Sequence, residues 1–289
     1  MEEEIEEKKE YIKKYHCNNC NVDFYSKSSN DLNKCAYCYS TNINEAELSQ
    51  DKDIKIIPFS ISRDEAIRKY KKKVKFNPLV PLIFKKKDTI ENMKRIYLPA
   101  FLSDVNQNGT IEFIAGDKNG KVVDNKRYYV IHSVNFDYKD YLLSVSNNID
   151  DDVFSSICEY NYNNLKNTKY SVEEDYFIAS NISPEEVATK GREKIAKHSV
   201  GIVRNNVKHS LKKLKTDESI INFVNAKEVY VPVYLLNVKY KNNNYQYIMN
   251  GENGKDKINL VYGILDIIIF STIVAGIIFL IAYLIAYFL

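Results

Sequence analysis

Two stretches of the chain repeat apolar residues at the three- and four-residue spacing of one helix face. The first stretch follows Ser62 and the second follows Ser183, and in each a glutamate stands three residues after the serine. A serine and a glutamate at this spacing form a capping box, which satisfies free backbone amides at the helix start. The pattern predicts two amphipathic helices, with apolar faces made by Ala66, Ile67, Tyr70 and Val74 and by Val187, Ala188, Gly191 and Ile195.

Each predicted helix is followed by a pair of strands, and the two pairs correspond in order. The strands of the first copy are 97–102 and 111–114, and those of the second copy are 230–235 and 245–248. Each pair opens on Tyr-x-Pro and is followed by Gly and then Asn-Gly-Lys. Several short matches in a fixed order indicate an internal duplication. The sequence therefore predicts two units, each a helix with an antiparallel β-hairpin that packs on that helix.

The last 23 residues, 267–289, contain no charged residue. As a helix they would span about 34 Å, which exceeds the roughly 30 Å core of a bilayer. A core helix of a soluble domain would carry a polar face, and this run has none, so it predicts a single transmembrane anchor. Ser271 with Ala275 and Thr272 with Gly276 place small residues four apart, a pattern that also allows a homodimer through this helix.

The charges near the apolar run predict its orientation. The first ten residues are mostly Glu and Lys, so they lack the apolar core of a signal peptide. Lys255 and Lys257 stand before the apolar run, and no Lys or Arg follows it. Positive residues stay on the cytoplasmic side of a membrane helix. We therefore expect a single-pass protein of the plasma membrane with its N-terminus in the cytoplasm.

Four of the five cysteines form two Cys-x-x-Cys pairs, Cys17 with Cys20 and Cys35 with Cys38. The fourteen residues between the pairs match the spacing of a four-cysteine zinc site. In a reducing cytoplasm four thiolates satisfy a tetrahedral zinc ion, and this closed coordination leaves no position for a catalytic water. The sequence predicts one structural Zn²⁺ ion in a ribbon of two knuckles. Iron in a rubredoxin-like site is the alternative, because it uses the same spacing.

Two residues depart from the usual zinc knuckle. A glycine often follows the second cysteine of a knuckle, whereas Asn21 and Tyr39 occupy these positions here. Asparagine tolerates a left-handed backbone and tyrosine does so poorly, so we expect a distorted second knuckle. His16 precedes Cys17 but is redundant as a ligand, and Cys158 is predicted to be a small core residue.

Charge is distributed unevenly, although the net charge of the whole chain is only +3. Residues 63–95 hold twelve Lys and Arg against four Asp and Glu, a net of +8, while residues 1–50 hold six against ten, a net of −4. Two lysine groups around the apolar segment 76–84 form a candidate membrane-surface site: Lys71, Lys72, Lys73, Lys75, Lys85, Lys86 and Lys87. These lysines are either a solvated surface around a segment that enters the core, or they lie against the anionic inner leaflet.

The order of these motifs resembles that of bacterial membrane proteins with an N-terminal TFIIB-type zinc ribbon. The likeness covers nearly the whole chain and consists of the ribbon, the segment Ile57-Pro58-Phe59, the Ser-x-x-Glu-Ala helix with its lysines, the two Tyr-x-Pro strands and the hydrophobic tail. The Asn-Gly-x-x-Gly-Lys sequence after the second hairpin also looks like the end of a PepSY-type unit. No Gly-Lys-Ser/Thr phosphate loop is present, which argues against a helicase.

These signals predict an α+β chain in four parts. The parts are a zinc ribbon with a charged N-terminal segment at 1–49, α+β units at 50–149 and 150–258, and the anchor at 259–289. The sequence has four histidines at no metal-binding spacing and none of the common nucleophile or phosphate motifs, so we expect no enzyme.

Two function classes remain. The first is a membrane-anchored, cytoplasm-facing interaction or scaffold module that holds a protein partner near the lipid. The alternative is a membrane-tethered, transcription-related zinc-ribbon protein that binds nucleic acid. The acidic charge of the first 50 residues favours the first class, since a ribbon that contacts phosphates should be basic. The sequence does not identify the protein partner.

Overall fold

The structure is a computed structural model of the 289-residue chain. It describes residues 11–26, 34–50, 53–119, 122–123, 126–144, 149, 151–169, 176–180, 182–258 and 262–288. The strands are β1 (Tyr11–Cys17), β2 (Asp23–Ser26), β3 (Ile43–Gln50), β4 (Asp53–Ile56), β5 (Lys94–Gly116), β6 (Lys118–Asn119), β7 (Val122–Val123), β8 (Tyr128–Ser144), β9 (Lys166–Lys169), β10 (Tyr176–Ile178), β11 (Leu211–Asp217), β12 (Ile220–Tyr240), β13 (Asn243–Asn250) and β14 (Asp256–Ile258). The α-helices are α1 (Arg63–Val74), α2 (Lys87–Glu91), α3 (Asp151–Ser155), α4 (Pro184–Asn206) and α5 (Ile264–Phe288).

The chain forms two compact units, neither of which is continuous in sequence. The first unit comprises Met1–Leu98, Asn148–Ala179 and Tyr230–Leu289, and the second comprises Pro99–Asn147 and Ser180–Val229. The long strands β5 and β12 each contribute residues to both units. For this reason the two units differ from the four contiguous parts expected from the sequence. The internal duplication of a helix and two strands stays a prediction.

Helix α1 packs against β12 and β13 in the first unit. Its residues Ala66, Tyr70 and Val74 are buried, as the apolar pattern predicted, and Ile67 is partly buried. They contact the apolar side chains of the two strands: Tyr234, Leu236, Val238, Tyr247 and Met249. Each large apolar side chain that is fully buried stabilises a fold by about 1.5–3 kcal/mol. This cluster therefore accounts for a major part of the core of the first unit.

Helix α4 packs against β5 and β8 in the second unit. Near its C-terminal end, Val203 contacts a cluster on these strands: Ile111, Phe113, Ala115 and Val134. About two turns earlier, Ile195 contacts Val105 and Ile221. The predicted N-caps of α1 and α4 are confirmed, since the side chains of Ser62 and Ser183 accept hydrogen bonds from the amides of Glu65 and Glu186 at 3.2 Å.

The pairing of helices and hairpins differs from the expected one. The helix of the first copy, α1, packs on the strands of the second copy, and α4 packs on the strands of the first. The expectation that each sheet covers its own helix is therefore wrong. An apolar helix face shows that something must cover it, but the pattern does not specify which of two similar sheets does so.

The first-copy strands are also arranged differently from expectation. The predicted strands 97–102 and 111–114 are parts of one continuous strand, β5, and its antiparallel partner is β8. The residues between them continue the strand, since they also pair with β8. Gln107 in this stretch is buried, and its side-chain amide donates to Ser199 Oγ at 2.9 Å and to Ser219 Oγ at 2.7 Å. In the second copy the expected hairpin is present, with β12 paired to β13.

The predicted ribbon forms one edge of the sheet in the first unit. Strand β1 pairs with β2 on one side and with β3 on the other. The other edge of β2 pairs with β10, which runs parallel to the start of β5. Phe24 of β2 and Phe177 of β10 are fully buried. The ribbon residues thus belong to the same compact unit as α1 and β13.

Helix α5 contains the predicted membrane span. Residues Ile267–Phe288, 22 in number, are long and apolar enough to cross a membrane, and none of the side chains in this window is buried. Exposure of the whole apolar surface distinguishes this helix from the core helices α1 and α4. Leu289, the last residue of the predicted anchor, lies outside the described residues.

Candidate metal centre

Two equivalent backbone turns present the four cysteines of the ribbon. In the first turn the amide of Asn21 donates to the carbonyl oxygen of Cys17 at 2.8 Å, and in the second the amide of Tyr39 donates to that of Cys35 at 3.0 Å. Asn21 has φ 57° and Tyr39 has φ 61°. The second knuckle, expected to be distorted, therefore has the same geometry as the first, with tyrosine in a left-handed conformation that costs free energy for this residue type.

The four sulfur atoms lie within 4.8 Å of one another. The Sγ atoms of Cys17 and Cys38 are 3.6 Å apart, and those of Cys20 and Cys35 are 3.7 Å apart. Zinc bound tetrahedrally at about 2.3 Å from each sulfur would place the sulfurs about 3.8 Å apart. These four residues could therefore hold a metal ion, and their spacing fits a closed four-sulfur site.

Hydrogen bonds around Cys35 favour its thiolate form. The Cys20 thiol lies in hydrogen-bond contact with Cys35, and the amides of Cys38 and Tyr37 donate to the Cys35 sulfur at 3.5 and 3.3 Å. The contact with Cys20 and the two amide donors lower the pKa of Cys35 to about 5, although burial opposes ionisation. The contact between the two sulfurs raises the pKa of Cys20. Amide donors to sulfur commonly orient metal-bound thiolates, so these two hydrogen bonds fit a role of Cys35 as a metal ligand.

The second knuckle is fixed to the core of the first unit by two tyrosines. The Tyr39 hydroxyl donates to the carbonyl oxygen of Leu235 at 3.2 Å, and the backbone amide of Asn237 donates to the Tyr39 hydroxyl at 3.4 Å. The side-chain amide of Asn237 donates to the Tyr37 carbonyl oxygen, and the side-chain amide of Gln246 donates to the Tyr37 hydroxyl at 3.2 Å. Burial raises the pKa of both tyrosines above its usual range.

Asn237 and Gln246 were not anticipated from the sequence. Asn237 interrupts an apolar stretch of β12, and this interruption is the signal that could have indicated a buried polar contact, whereas Gln246 lies in a strand of mixed polarity that gives no such signal. Between the knuckle and these strands lies a cleft of about 690 Å³, which Cys20 and Cys38 line together with amide side chains and Lys239. The cleft leaves these two sulfur ligands half-buried, while Cys17 and Cys35 are buried.

The two other residues considered near the site have different partners. His16 Nδ1 lies 2.6 Å from a carboxylate oxygen of Asp23, consistent with the view that this histidine is redundant as a ligand. The Cys158 thiol donates to the carbonyl oxygen of Ser155 at 3.3 Å and is only half-buried, so it is less buried than a core residue should be. Among the described residues, the metal-ligating side chains that lie close enough together to share one ion are the four ribbon cysteines.

Two lysines on the ribbon are paired with acids. Lys13 Nζ lies 3.0 Å from a carboxylate oxygen of Glu45, and Lys14 Nζ lies 2.8 Å from one of Asp23. Burial acts to raise the pKa of Asp23, but hydrogen bonds from Lys14 and His16 lower it overall. Lys34, directly before Cys35, is exposed and has no ion pair among the described residues, and Lys27 lies outside them. The described ribbon surface near the knuckles therefore offers a single unpaired lysine to a phosphate.

The candidate membrane-surface lysines lie at the end of α1 and around a short 3-10 turn, Leu82–Lys85. Between them, Val80 and Phe84 are buried, whereas Phe76 and Leu82 are exposed. The apolar segment between the lysines thus enters the core at some positions and faces solvent at others. Four of the lysines have partners: Lys73 pairs with Asp256 at 2.7 Å, Lys87 lies 3.6 Å from Glu91, Lys85 donates to the carbonyl oxygen of Asn77 at 2.8 Å, and Lys75 Nζ lies 5.5 Å from the centre of the Phe76 ring.

Comparisons with known proteins place few constraints on this chain. No protein-family model matches it, and no solved structure matches it. It is similar to a protein of Bacillus subtilis (strain 168) described as Uncharacterized protein YdjG, with 24% identity over 211 residues. The match covers 70% of this chain and 61% of that protein, so the chain spans less than two thirds of the length of its relative.

Proposed function

We propose that this protein is a membrane-anchored, cytoplasm-facing scaffold that binds a protein partner and has no catalytic activity of its own. The observation that carries this proposal is an exposed apolar surface on the sheet of the second unit. Val130, Val134 and Phe136 of β8 pack on the α4 side of that sheet. Alternate residues of a strand point to opposite faces, so Tyr129 and Ile131 face away from α4.

This surface, the open face, is formed by Tyr129 and Ile131 of β8 and Ile220 of β12. Their side chains are 64%, 64% and 66% exposed. Glu112 of β5, which lies opposite Ile131 in the register with β8, pairs with Lys215 of β11 at 3.1 Å, and Lys215 Nζ is 4.7 Å from the centre of the Tyr129 ring. An apolar surface with an ion pair beside it is typical of a protein interface, since aromatic and aliphatic anchors provide area and the charges provide specificity.

The metal centre supports a structural role. Closed coordination by four sulfurs offers no open position for a substrate, and its second knuckle is tied to β12 and β13 by Tyr37 and Tyr39. We infer that the ion is Zn²⁺ because it satisfies four thiolates without redox chemistry in a reducing cytoplasm. Metal analysis of the purified protein distinguishes zinc from iron, which would also give a coloured protein.

The alternative of nucleic-acid binding has weaker support. Lys13 and Lys14 are held by Glu45 and Asp23, which leaves Lys34, next to Cys35, as the exposed lysine without an ion pair in the described part of the ribbon. One face of β1 and β2 is also covered, because Tyr15 stacks on Phe24 at 5.5 Å between ring centres and both are buried. A ribbon that binds nucleic acid needs a free hairpin face with unpaired positive charge.

The decisive experiment is cross-linking of the tagged full-length chain in native membranes, followed by identification of the captured molecules. The test variant replaces Tyr129, Ile131 and Ile220 with Thr, which keeps strand propensity. A matched control replaces Tyr128 of β8 with Thr, since this side chain is also exposed but alternation places it on the α4 side of the sheet. We expect a protein partner that is lost from the open-face variant and kept by the control. Capture of nucleic acid, or equal capture by both variants, would contradict the proposal.

A further inference from the structure

The segment after α1 exposes two large apolar side chains among lysines. Phe76 is 80% exposed and Leu82 is 72% exposed. No acidic residue occurs between Lys71 and Lys87, a segment that holds seven lysines. Two exposed apolar side chains with lysines on both sides favour a contact that is anionic on its surface and apolar beneath.

A backbone hydrogen bond connects this segment to the start of the apolar helix. The Gly263 amide donates to the carbonyl oxygen of Leu79 at 3.1 Å, and the Ile267 amide donates to the carbonyl oxygen of Gly263 at 2.9 Å. Gly263 stands four residues before Ile267, where the span begins. At 1.5 Å per residue this separation is about 6 Å, so Leu79 lies at the depth of the lipid headgroups if α5 spans a bilayer.

Several lysines of this segment have the free charge that a lipid surface requires. Within the residues that the structure describes, Lys71, Lys72 and Lys86 form no ion pair. Lys71 and Lys75 line a recess of about 360 Å³ together with Lys85, Lys87 and the apolar residues Val74 and Ile90. A recess with several ammonium groups on an apolar floor suits a phosphate group that carries acyl chains.

We propose that the segment from Lys71 to Lys87 is an interfacial lipid-binding site for anionic phospholipid. Phe76 and Leu82 enter the headgroup region, and Lys71, Lys72 and Lys86 contact the lipid phosphates. This proposal rests on the proposed function, because it requires α5 to be a membrane anchor. It adds to that function a site that fixes how the first unit contacts the bilayer. A single-stranded nucleic acid could also stack on Phe76 between lysines, but the link from Leu79 to Gly263 favours the membrane.

The absence of tryptophan from the chain allows a direct test. Phe76→Trp gives the full-length protein a single tryptophan at the proposed site, and Tyr287→Trp in α5 gives a separate reference for the anchor. Each protein is reconstituted in vesicles of phosphatidylcholine alone or with phosphatidylglycerol, with and without lipids that carry a fluorescence quencher. In anionic vesicles we expect the Phe76→Trp protein to emit at shorter wavelength and to be quenched, and we expect both effects to weaken at high salt.

Matched lysine variants identify the source of the effect. In the Phe76→Trp protein, replacement of Lys71, Lys72 and Lys86 by Gln should weaken insertion of the tryptophan into the lipid. We expect the ratio of lipid-inserted to water-exposed tryptophan to fall by about fivefold per lysine. Replacement of Lys208, Lys213 and Lys227, exposed lysines of the second unit, changes the net charge equally and should leave the indole docked.

The anchor probe separates failure of the lipid site from failure of the proposed function. Quenching of the Tyr287→Trp protein without quenching of the Phe76→Trp protein would overturn the lipid site while preserving the anchor. Failure of both probes would instead reject the anchor and with it the proposed function.

A final experiment distinguishes binding of anionic lipid from binding of other molecules that carry phosphate. The Phe76→Trp protein is titrated in neutral detergent with inorganic phosphate and with a single-stranded oligonucleotide. We expect neither to shift the tryptophan emission as anionic vesicles do. An equal shift with the oligonucleotide would overturn the lipid assignment in favour of nucleic acid.

Discussion

The Tyr39 hydroxyl donates a hydrogen bond to the carbonyl oxygen of Leu235 at 3.2 Å, across 196 residues of sequence. This contact joins the second knuckle to β12, the strand that α1 covers. It also explains how a tyrosine can occupy a left-handed position with φ 61°, since partial burial of the ring and its hydrogen bond offset the backbone cost. The metal centre and the core of the first unit are therefore expected to depend on each other.

Substitution of Tyr39 tests this dependence. Tyr39→Phe keeps the ring but removes the hydroxyl, so we expect the free energy of unfolding to fall by about 1 kcal/mol. Tyr39→Gly relieves the backbone strain and should still be the more damaging change, because it also removes the buried ring. The measurement is thermal unfolding of the metal-loaded full chain in detergent. A Gly variant more stable than the Phe variant would show that strain, rather than docking, dominates at this position.

Loss of the metal should spread beyond the ribbon. We expect the Cys17→Ser and Cys35→Ser double variant to lose its bound metal, because two of the four sulfurs are removed. Since β2 pairs with β10, amide protons of both strands should then exchange faster with solvent. Metal content and hydrogen exchange measure the two effects. Cys158→Ser, which removes a thiol outside the cluster, is the control, and full metal content in the double variant would contradict the site.

Local features of this fold could be predicted from the sequence, and distant pairings could not. The capping serines Ser62 and Ser183 and the four cysteines act through neighbours a few residues away, so their spacing specifies them. The contact of Tyr39 with Leu235 depends on which strands become neighbours in space. The same limit applies to α1 and α4, whose apolar faces were predicted but whose partner sheets were not.

The exchanged packing of the two helices can be tested by truncating one buried residue in each. Tyr70→Ala should cost about 3–5 kcal/mol and Ile195→Ala about 2–5 kcal/mol, since both side chains are buried. We expect Tyr70→Ala to raise hydrogen exchange in β13 and in residues 230–240 of β12, and Ile195→Ala to raise it in β5, in β8 and in residues 220–229 of β12. If each substitution instead affected the strands of its own copy, the exchanged arrangement would be incorrect.

Two glycines of the second unit should respond to alanine in opposite ways. Gly109 has φ 147°, and a Cβ added there would lie 2.6 Å from the Cα of Ser219 and 2.7 Å from the carbonyl oxygen of Glu218. Both neighbours are backbone atoms that cannot move independently, so Gly109→Ala should destabilise the unit. A Cβ at Gly201 of α4 meets nothing within 4 Å. Gly201→Ala should stabilise the helix by about 0.5–1 kcal/mol, as measured by thermal unfolding.

Buried tyrosines of the first unit should make it sensitive to alkaline pH. The ring centres of Tyr70 and Tyr247 are 5.1 Å apart, and burial raises the pKa of both hydroxyls above its usual range. A group whose pKa is higher in the folded state contributes full stability below its unfolded pKa and loses that stability as the pH rises above it. For tyrosine the unfolded pKa is about 10, so the loss should begin near that pH.

Tyr70→Phe isolates one of these hydroxyls. At pH 7 we expect it to lower the free energy of unfolding by about 1 kcal/mol, because the Tyr70 hydroxyl donates to the carbonyl oxygen of Phe84 at 3.0 Å. Above about pH 10 the parent protein should lose about 1.4 kcal/mol more per pH unit than the variant, since it has one more buried hydroxyl that must stay protonated. Chemical unfolding of both proteins between about pH 7 and 11 measures this difference. Parallel curves over the whole range would mean that Tyr70 ionises as readily in the folded protein as in the unfolded chain.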